Sequence, residues 1–154
     1  MLRMGKLTDY GIVLMTYFAQ NQTIKHSAHT LSDNVHMPLP TVRKILKVLS
    51  HNDLLTSTRG ANGGYQLSRD ARNISIADII SAIEGPIAIT ECAGHDSQCE
   101  QAAFCHVQTD WQQINQAVYE ALDDVKLSSM TAKAATSPIT VYPLNQHKMV
   151  ISHD

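Results

Sequence analysis

Three cysteines, Cys92, Cys99 and Cys105, lie within one stretch of fourteen residues, and the 154-residue chain has no others. Three cysteines cannot all pair within one chain, so shared binding of a metal ion or cluster is a better interpretation than structural disulfides. The spacing Cys-x6-Cys-x5-Cys is longer than the Cys-x2-Cys hairpins that hold one zinc ion at about 2.3 Å. These spans suit a bulkier iron-sulfur cluster, although ferredoxins use other spacings. Redox-active thiols and incidental cysteines stay open as alternatives.

The charged residues are divided unevenly along the chain. Residues 1–75 hold nine Lys or Arg and four Asp, a net charge of +5, whereas residues 76–154 hold three basic and ten acidic residues, a net charge of −7. A basic half joined to an acidic half indicates that the first half binds a polyanion. Chance unevenness over a solvated surface is the alternative.

The composition predicts a mainly helical globular protein of one or two small domains. Hydrophobic residues make up 44% of the chain and aromatic residues only 5%, and Leu, Ile, Val and Ala recur at helical spacing. No run of eighteen apolar residues occurs, and the first residues do not follow the pattern of a secretory signal. We therefore expect a cytoplasmic protein without a membrane span.

The N-terminal half shows the pattern of a helix-turn-helix. A first helix is expected over about residues 8–20 with Thr8 as its N-cap, and a second over about 27–35 after the capping residue Ser27. In a third helix, one arc is apolar and the other side is polar or basic. The apolar arc holds Leu39, Val42, Ile45, Leu46 and Leu49, and the other side holds Thr41, Arg43, Lys44 and Lys47. This helix is the expected DNA-recognition helix, with a solvated helix face as the alternative.

Two short strands are expected around residues 54–58 and 65–68, joined by a glycine-rich turn. Together they form a wing after the recognition helix, although an ordinary surface hairpin would show the same pattern. Arg59 lies at the base of the wing tip, where an Arg can enter the minor groove. A further helix begins at the capping box of Ser75 and Asp78 and stops at Gly85.

A longer helix is predicted over 107–129, because apolar residues repeat along it with a/d-like spacing: Trp111, Ile114, Val118, Ala121 and Val125. Its apolar stripe indicates pairing with a second copy of the chain, and packing back onto its own domain is the alternative. The expected organisation is a winged helix over 1–86, a cysteine loop over 87–106, a dimerisation helix over 107–129 and a flexible tail over 130–154.

Several segments in colinear order resemble the Rrf-two family of bacterial winged-helix regulators. They are KLTDYG, MPLPTVRKILKVL, TRGANGGYQLSR, ISIADIISAIEGPIAITEC and the three-cysteine loop, and together they span about residues 1–130. Within that family, AIEGPIAITEC and the cysteine loop most closely resemble the branch that regulates the SUF iron-sulfur assembly operon. The resemblance implies a homodimer on two adjacent DNA half-sites, with an iron-sulfur cluster, 2Fe-2S or 4Fe-4S, in each cysteine loop.

The same resemblance implies cluster ligands. Cys92, Cys99 and Cys105 match the family's cysteine ligands. Some members add a His three residues after the last Cys, where this chain has Gln108 and instead carries His106 directly after Cys105. Others use an Asp from the first helix of the partner chain, and Asp9 lies in the matching segment. His106 and Asp9 both stay open as the fourth ligand.

The leading hypothesis is a cluster-sensing transcriptional repressor without catalytic activity that binds a double-stranded DNA operator. Thr41, Arg43 and Lys44 would contact base edges or nearby phosphates, Lys47 a phosphate and Arg59 the minor groove. The main alternative is a DNA-binding repressor that responds to redox state or nitric oxide through thiols or zinc. A thiol-dependent enzyme is poorly supported because no His or acid has a defined spacing to one Cys, and a structural adaptor is the last alternative.

Overall fold

The computed structural model describes residues 3–60, 62–93, 99 and 104–131. Its architecture is a mainly helical winged helix-turn-helix, as expected from the sequence. The elements are α1 (Lys6–Gln20), α2 (Ala28–Val35), α3 (Leu39–His51), β1 (Leu55–Thr58), β2 (Gly64–Leu67), α4 (Ile76–Glu84) and α5 (Gln108–Asp124). Short 3-10 helices cover Ala71–Asn73, Glu91–Ala93 and Leu127–Met130. No helix in these ranges is long and apolar enough to span a bilayer.

The core lies where α1, α3 and α4 meet. The helix faces predicted from periodicity supply it, because residues three or four apart on a helix share one face. Fully buried core residues include Leu14, Met15, Phe18, Leu31, Val42, Ile45, Leu46, Leu49, Ile74, Ile79 and Leu127. The core therefore fixes α3 with its opposite side directed to solvent.

The first helix begins two residues earlier than expected, at Lys6, and Thr8 is not its N-cap. Gly5 is the N-cap in an extended conformation, while Thr8 lies fully buried inside the first turn. The Thr8 hydroxyl donates a hydrogen bond to the carboxylate of Glu84 at the end of α4. A partner distant in the sequence thus replaces the local capping role that the residue type indicated.

The predicted caps of α2 and α4 are confirmed. The Ser27 hydroxyl accepts a hydrogen bond from the Thr30 N–H at 3.1 Å and caps α2. Ser75 and Asp78 form the expected capping box, in which each side chain accepts a hydrogen bond of 3.0 Å from the other residue's backbone N–H. The two caps satisfy backbone donors that have no partner within the helix.

The wing is a two-stranded antiparallel sheet in which Leu55 pairs with Leu67 and Thr58 with Gly64. His26, in the connection between α1 and α2, adds a further rung, because its backbone exchanges hydrogen bonds of 3.0 and 2.9 Å with Tyr65. Gly64 has a φ of +151°, and a Cβ there would lie only 2.8 Å from the His26 carbonyl oxygen. Glycine at this position therefore lets the wing lie directly against the backbone of His26.

The C-terminal helix is shorter than the predicted span of 107–129, because α5 ends at Asp124 and Val125 is extended. The Val125 carbonyl accepts a hydrogen bond from the Ile76 N–H at 2.9 Å, and the Leu127 N–H donates to the Ile74 carbonyl at 2.8 Å. Leu127 is completely buried. Pairing with the residues at the start of α4 ends the helix and returns the chain to the winged-helix core. Of the predicted tail over 130–154, residues 132–154 lie outside the described residues.

Candidate nucleic-acid interface and cysteine segment

The outer face of α3 carries the predicted recognition residues. Arg43, Lys44 and Lys47 are exposed, and Thr41 near the start of the helix is half-buried. The opposite face of the helix is buried in the core through Val42, Ile45, Leu46 and Leu49. One exception to the predicted apolar arc is Leu39, which is only half-buried at the helix start. The arrangement presents three cations on one rigid helix, which is the geometry needed to enter the major groove of DNA.

A tight connection fixes the direction of α3 relative to α2. His36 adopts the left-handed conformation with a φ of +52° and ends α2. The Ser32 hydroxyl then donates a hydrogen bond of 2.6 Å to the Met37 carbonyl, and Pro40 stands in the first turn of α3. Pro is favoured in a first turn because the backbone N–H it lacks would have no helical partner there. The turn therefore holds the two helices of the helix-turn-helix in one orientation.

Arg59 is exposed directly after β1, as the sequence predicted for the wing. A second cation at this position was missed. The Lys25 ammonium donates a hydrogen bond of 3.2 Å to the hydroxyl of Thr58, the neighbour of Arg59. Lys25 therefore adds a second exposed cation to the wing. The available signal was a basic residue two positions before the capping Ser27, but pairing of this segment with the wing is a long-range contact.

Two other arginines of the basic half serve the fold. Arg69 forms an ion pair of 3.0 Å with Asp78, and Arg72 forms one of 2.9 Å with Asp70. The Arg72 hydrogen bonds lower the pKa of Asp70 to about 2. No ion pair involves Arg43, Lys44, Lys47 or Arg59 in the part of the chain that the structure describes. These four cations are thus available for an external anion, while Arg69 and Arg72 brace the segment before α4.

The cysteine segment lies between α4 and α5. Cys92 is in the 3-10 helix Glu91–Ala93, and Cys99 and Cys105 are half-buried thiols that form no disulfide. Of the two candidates for a fourth ligand, His106 is exposed beside Cys105, and Asp9 is exposed on α1. Within the described ranges no three His, Cys, Asp or Glu residues form a metal site, and residues 94–98 and 100–103 fall outside them. Assembly of the predicted ligands remains a prediction.

A carboxylate joins the start of α1 to the segment that leads to the cysteines. Glu84, the last residue of α4, accepts hydrogen bonds from the Thr8 hydroxyl and, at 2.9 Å, from the Gly5 N–H. These donors lower the pKa of Glu84, with the Thr8 hydroxyl as the larger cause. The first turn of α1, which carries Asp9, is therefore fixed to the residue directly before Gly85.

Helix α5 has no buried residue in the single chain. The predicted apolar stripe includes Trp111, Ile114 and Val125, which are 36%, 46% and 42% exposed. Phe104, before the helix, is 81% exposed. Exposed apolar groups of this size, on a helix and in the residues beside its two ends, are typical of a protein interaction surface.

Comparisons with known proteins agree with this architecture. The family model of Rrf2, described as an iron-dependent transcriptional regulator, matches residues 4–133. Protein rrf2 of Nitratidesulfovibrio vulgaris is 31% identical over 106 residues, which cover 69% of this chain and 71% of that protein.

Two solved structures share the fold. The global cysteine regulator CymR of B. subtilis is 26% identical with a TM-score of 0.66, and the match covers 85% of this chain and 97% of that one. IscR of T. potens is 26% identical with a TM-score of 0.63, covering 84% of this chain and 85% of that one. With a family match over nearly the whole described part of the chain, and with the helix-turn-helix and wing in place, this chain belongs to the Rrf2 family of DNA-binding transcriptional regulators.

Proposed function

We propose that this protein is a repressor of iron-sulfur cluster assembly genes and that an iron-sulfur cluster in its cysteine segment controls its affinity for operator DNA. One observation carries the proposal: the segment with all three cysteines directly connects α4 of the winged helix to α5. Any group that binds there changes the connection between the DNA-binding unit and α5. The similarity to IscR of T. potens supports this assignment.

The donor set suits such a cluster. Thiolates are the usual ligands of iron-sulfur clusters, and the Cys99 and Cys105 thiols are unpaired and half-buried, so a group of moderate size can reach them. Cys92, Cys99 and Cys105 would hold the cluster, with His106 or Asp9 as the fourth donor. When bound, the cluster supplies sensitivity to iron supply, oxidation or nitric oxide. If Asp9 of a partner subunit is the fourth donor, cluster loss removes a contact between subunits.

The exposed cations define the DNA-binding role. Helix α3 would enter the major groove with Thr41, Arg43 and Lys44 at base edges or nearby phosphates and Lys47 on a phosphate. Arg59 would enter the minor groove from the wing. Since the four cations carry no ion pair among the described residues, binding DNA does not require breaking an existing pair.

The functional unit in this proposal is a homodimer. Trp111 and Ile114 on α5, together with Phe104 and Val107 before it, leave a large apolar area in contact with water in the single chain. Pairing of α5 with its copy would bury this area, which is favourable by roughly 25 cal/mol per Å² of apolar surface. Two winged helices would then face adjacent half-sites.

A second candidate is a repressor that senses redox state or nitric oxide through its thiols or bound zinc. The similarity to CymR, a global cysteine regulator, favours it, as do the accessible thiols of Cys99 and Cys105. Such a sensor would bind the same DNA through the same cations, so the two candidates differ only in what the cysteine segment holds.

Purification without oxygen distinguishes these candidates. The visible spectrum, iron and acid-labile sulfide are measured for the parent protein, for Cys99→Ala and for Gln101→Ala, a control change between Cys99 and Cys105 in the sequence. The proposal expects brown protein with matched iron and sulfide, which is lost in Cys99→Ala and kept in Gln101→Ala. Colourless protein that cannot be reconstituted, with stoichiometric zinc or a reversible disulfide, would favour the second candidate.

A further inference from the structure

Asn115 of α5 holds the chain that leads from α4 to the cysteines. Its side-chain Nδ2 donates a hydrogen bond of 3.1 Å to the Ile87 carbonyl, and its Oδ1 accepts one of 3.0 Å from the Ile89 N–H. A single amide thus binds two backbone groups two residues apart, as a neighbouring strand would do. The contact spans 26 to 28 positions of sequence and is partly buried.

The chain around this amide is anchored at one end and leads to the cysteines at the other. Glu84 fixes its start to the first turn of α1, and Cys92 follows Ile89 by three residues. The 3-10 helix Glu91–Ala93 also packs on α5. A change at the cysteines can therefore reach α4 through Ile87–Ile89, where the Asn115 hydrogen bonds connect the same chain to α5.

The surroundings of Asn115 leave room for such a change. An open surface cavity of about 700 Å³ lies beside Ile87 and Asn115, and Ser81 of α4 and Tyr119 of α5 also line it. Close packing would hold the chain on all sides, whereas a cavity removes contacts on one side. The two hydrogen bonds from Asn115 thus fix the backbone of Ile87 and Ile89 on α5, while the Ile87 side chain packs against the hydrophobic core.

We propose that Asn115 is a positioning residue that couples the state of the cysteine segment to the winged helix. This inference rests on the proposed function, because it requires a cysteine segment that changes state. With both hydrogen bonds in place, the chain between α4 and Cys92 moves as one unit with α5, and a change at the cysteines reaches Glu84 and α1. Without them, the cysteine segment changes state while α4 keeps its position.

The test compares operator affinity of the cluster-loaded and cluster-free protein for the parent, Asn115→Ala and Gln113→Ala. Gln113 is exposed on the same helix and serves as the matched control. For each variant, the ratio of operator affinity between the cluster-loaded and cluster-free protein is calculated. In Asn115→Ala this ratio is expected to move toward unity by about fivefold or more, a change within the usual range of allosteric coupling. Gln113→Ala is expected to keep the parent ratio. A ratio in Asn115→Ala within about twofold of the parent value would overturn the proposal.

Amide hydrogen exchange gives a second readout that does not depend on DNA. Exchange of the Ile89 N–H is expected to become about tenfold faster in Asn115→Ala, because its acceptor is lost and local opening becomes easier. Unchanged protection of this amide would also overturn the proposal. A merely structural role would lower both affinities together and leave their ratio unchanged.

Asn115→Asp provides the test if the alanine variant does not fold. Its carboxylate still accepts a hydrogen bond from the Ile89 N–H but cannot donate one to the Ile87 carbonyl. The affinity ratio is therefore expected to lie between unity and the parent value, and a ratio equal to that of the parent would overturn the proposal. If the parent protein is colourless but responds to thiol oxidation, the ratio is measured between reduced and oxidised forms. A parent protein with equal affinities in all states would contradict the proposed function itself, and the role of Asn115 with it.

Discussion

The Thr8 hydroxyl donates a hydrogen bond to the carboxylate of Glu84 and joins the first turn of α1 to the last turn of α4. The Gly5 N–H donates to the same carboxylate at 2.9 Å. Helices α1 and α4 are therefore connected by polar contacts at the point where the chain leaves the winged helix for the cysteines.

Glu84→Ala is expected to reduce the free energy of unfolding by about 1 kcal/mol, since both hydrogen bonds end on an exposed, solvent-screened carboxylate. The folded-state pKa of Glu84 lies below its ordinary value of 4.5. Its contribution is therefore complete above pH 4.5 and is lost as the pH falls through the lowered pKa. Urea unfolding at pH 7 and near pH 3.5 measures the difference, with Glu120→Ala on α5 as the control. Equal stability of parent and Glu84→Ala at pH 7 would contradict this assignment.

Gly11 faces α4 in close contact, because a Cβ at this position would overlap Cδ1 of Ile83. Gly11→Ala is expected to destabilise the protein by about 1 kcal/mol, as overpacking exceeds the gain in helix propensity. In an Ile83→Val background the overlapping methyl is absent, and the same change is expected to stabilise by about 0.5 kcal/mol. A double-mutant cycle by thermal or urea unfolding measures this reversal. Additive effects of the two changes would show that contact with Ile83 does not determine the stability effect of Gly11→Ala.

His26 links the wing to the core and is only 6% exposed. Its ring packs edge-on against Tyr17 and Phe18, with centroid distances of 5.1 and 5.9 Å, and no described residue forms a hydrogen bond with its Nε2. Desolvation lowers the pKa of His26 below 6.5, and a hydrogen bond with the Asn21 backbone acts in the opposite direction.

Because the unfolded chain takes up the proton more readily, the contribution of His26 to stability is complete above pH 6.5 and declines as the pH falls through the lowered pKa. Urea midpoints between pH 7.5 and 5.5 are expected to decline more in the parent than in His26→Phe. His29→Ala, which changes a 76% exposed side chain on α2, is expected to keep the decline. If the urea midpoint of His26→Phe declined as much as that of the parent, groups other than His26 would cause the pH dependence.

Lys47 and Arg43 are expected to affect DNA binding differently. Lys47→Met should weaken binding to all sequences and reduce the slope of log affinity against log salt by about 0.9, since one phosphate contact is lost. Arg43→Met should instead relax specificity at one base position and cost about 1 to 3 kcal/mol on the selected operator. Fluorescence anisotropy with selected and random DNA at several salt concentrations measures both. Lys126→Met, which changes a residue paired with Asp123 at 3.3 Å, is the control. The same uniform loss in both variants would refute the division of roles.

Local signals predicted much of the fold. The caps at Ser27 and Ser75, the apolar arc of α3 and the glycine-rich wing turn each depend on residues within one or two helical turns, so a single sequence contains them. The exposed positions of Arg43, Lys44, Lys47 and Arg59 followed directly from that pattern.

The structural features that could not be predicted from the sequence pattern depend on contacts between residues distant in the sequence. Thr8 has the type of a capping residue, but its partner is 76 positions away. Helix α5 ends at Asp124 because Val125 and Leu127 pair with Ile76 and Ile74, although the apolar repeat continues through Val125. Lys25 lies at the wing because its ammonium donates a hydrogen bond to Thr58, which is 33 positions away in the sequence. Such pairings follow from the tertiary fold, and residues within one or two helical turns do not specify them.

The burial of Leu127 sets an order for folding during synthesis. The winged-helix core includes this side chain and the two backbone hydrogen bonds that accompany it, yet both residues that make these bonds, Val125 and Leu127, follow the cysteine segment in the chain. A nascent chain can assemble α1 to α4 early. It completes their core only after the ribosome has made the cysteines and α5. The winged-helix core is thus complete only in molecules that already carry the cysteine segment.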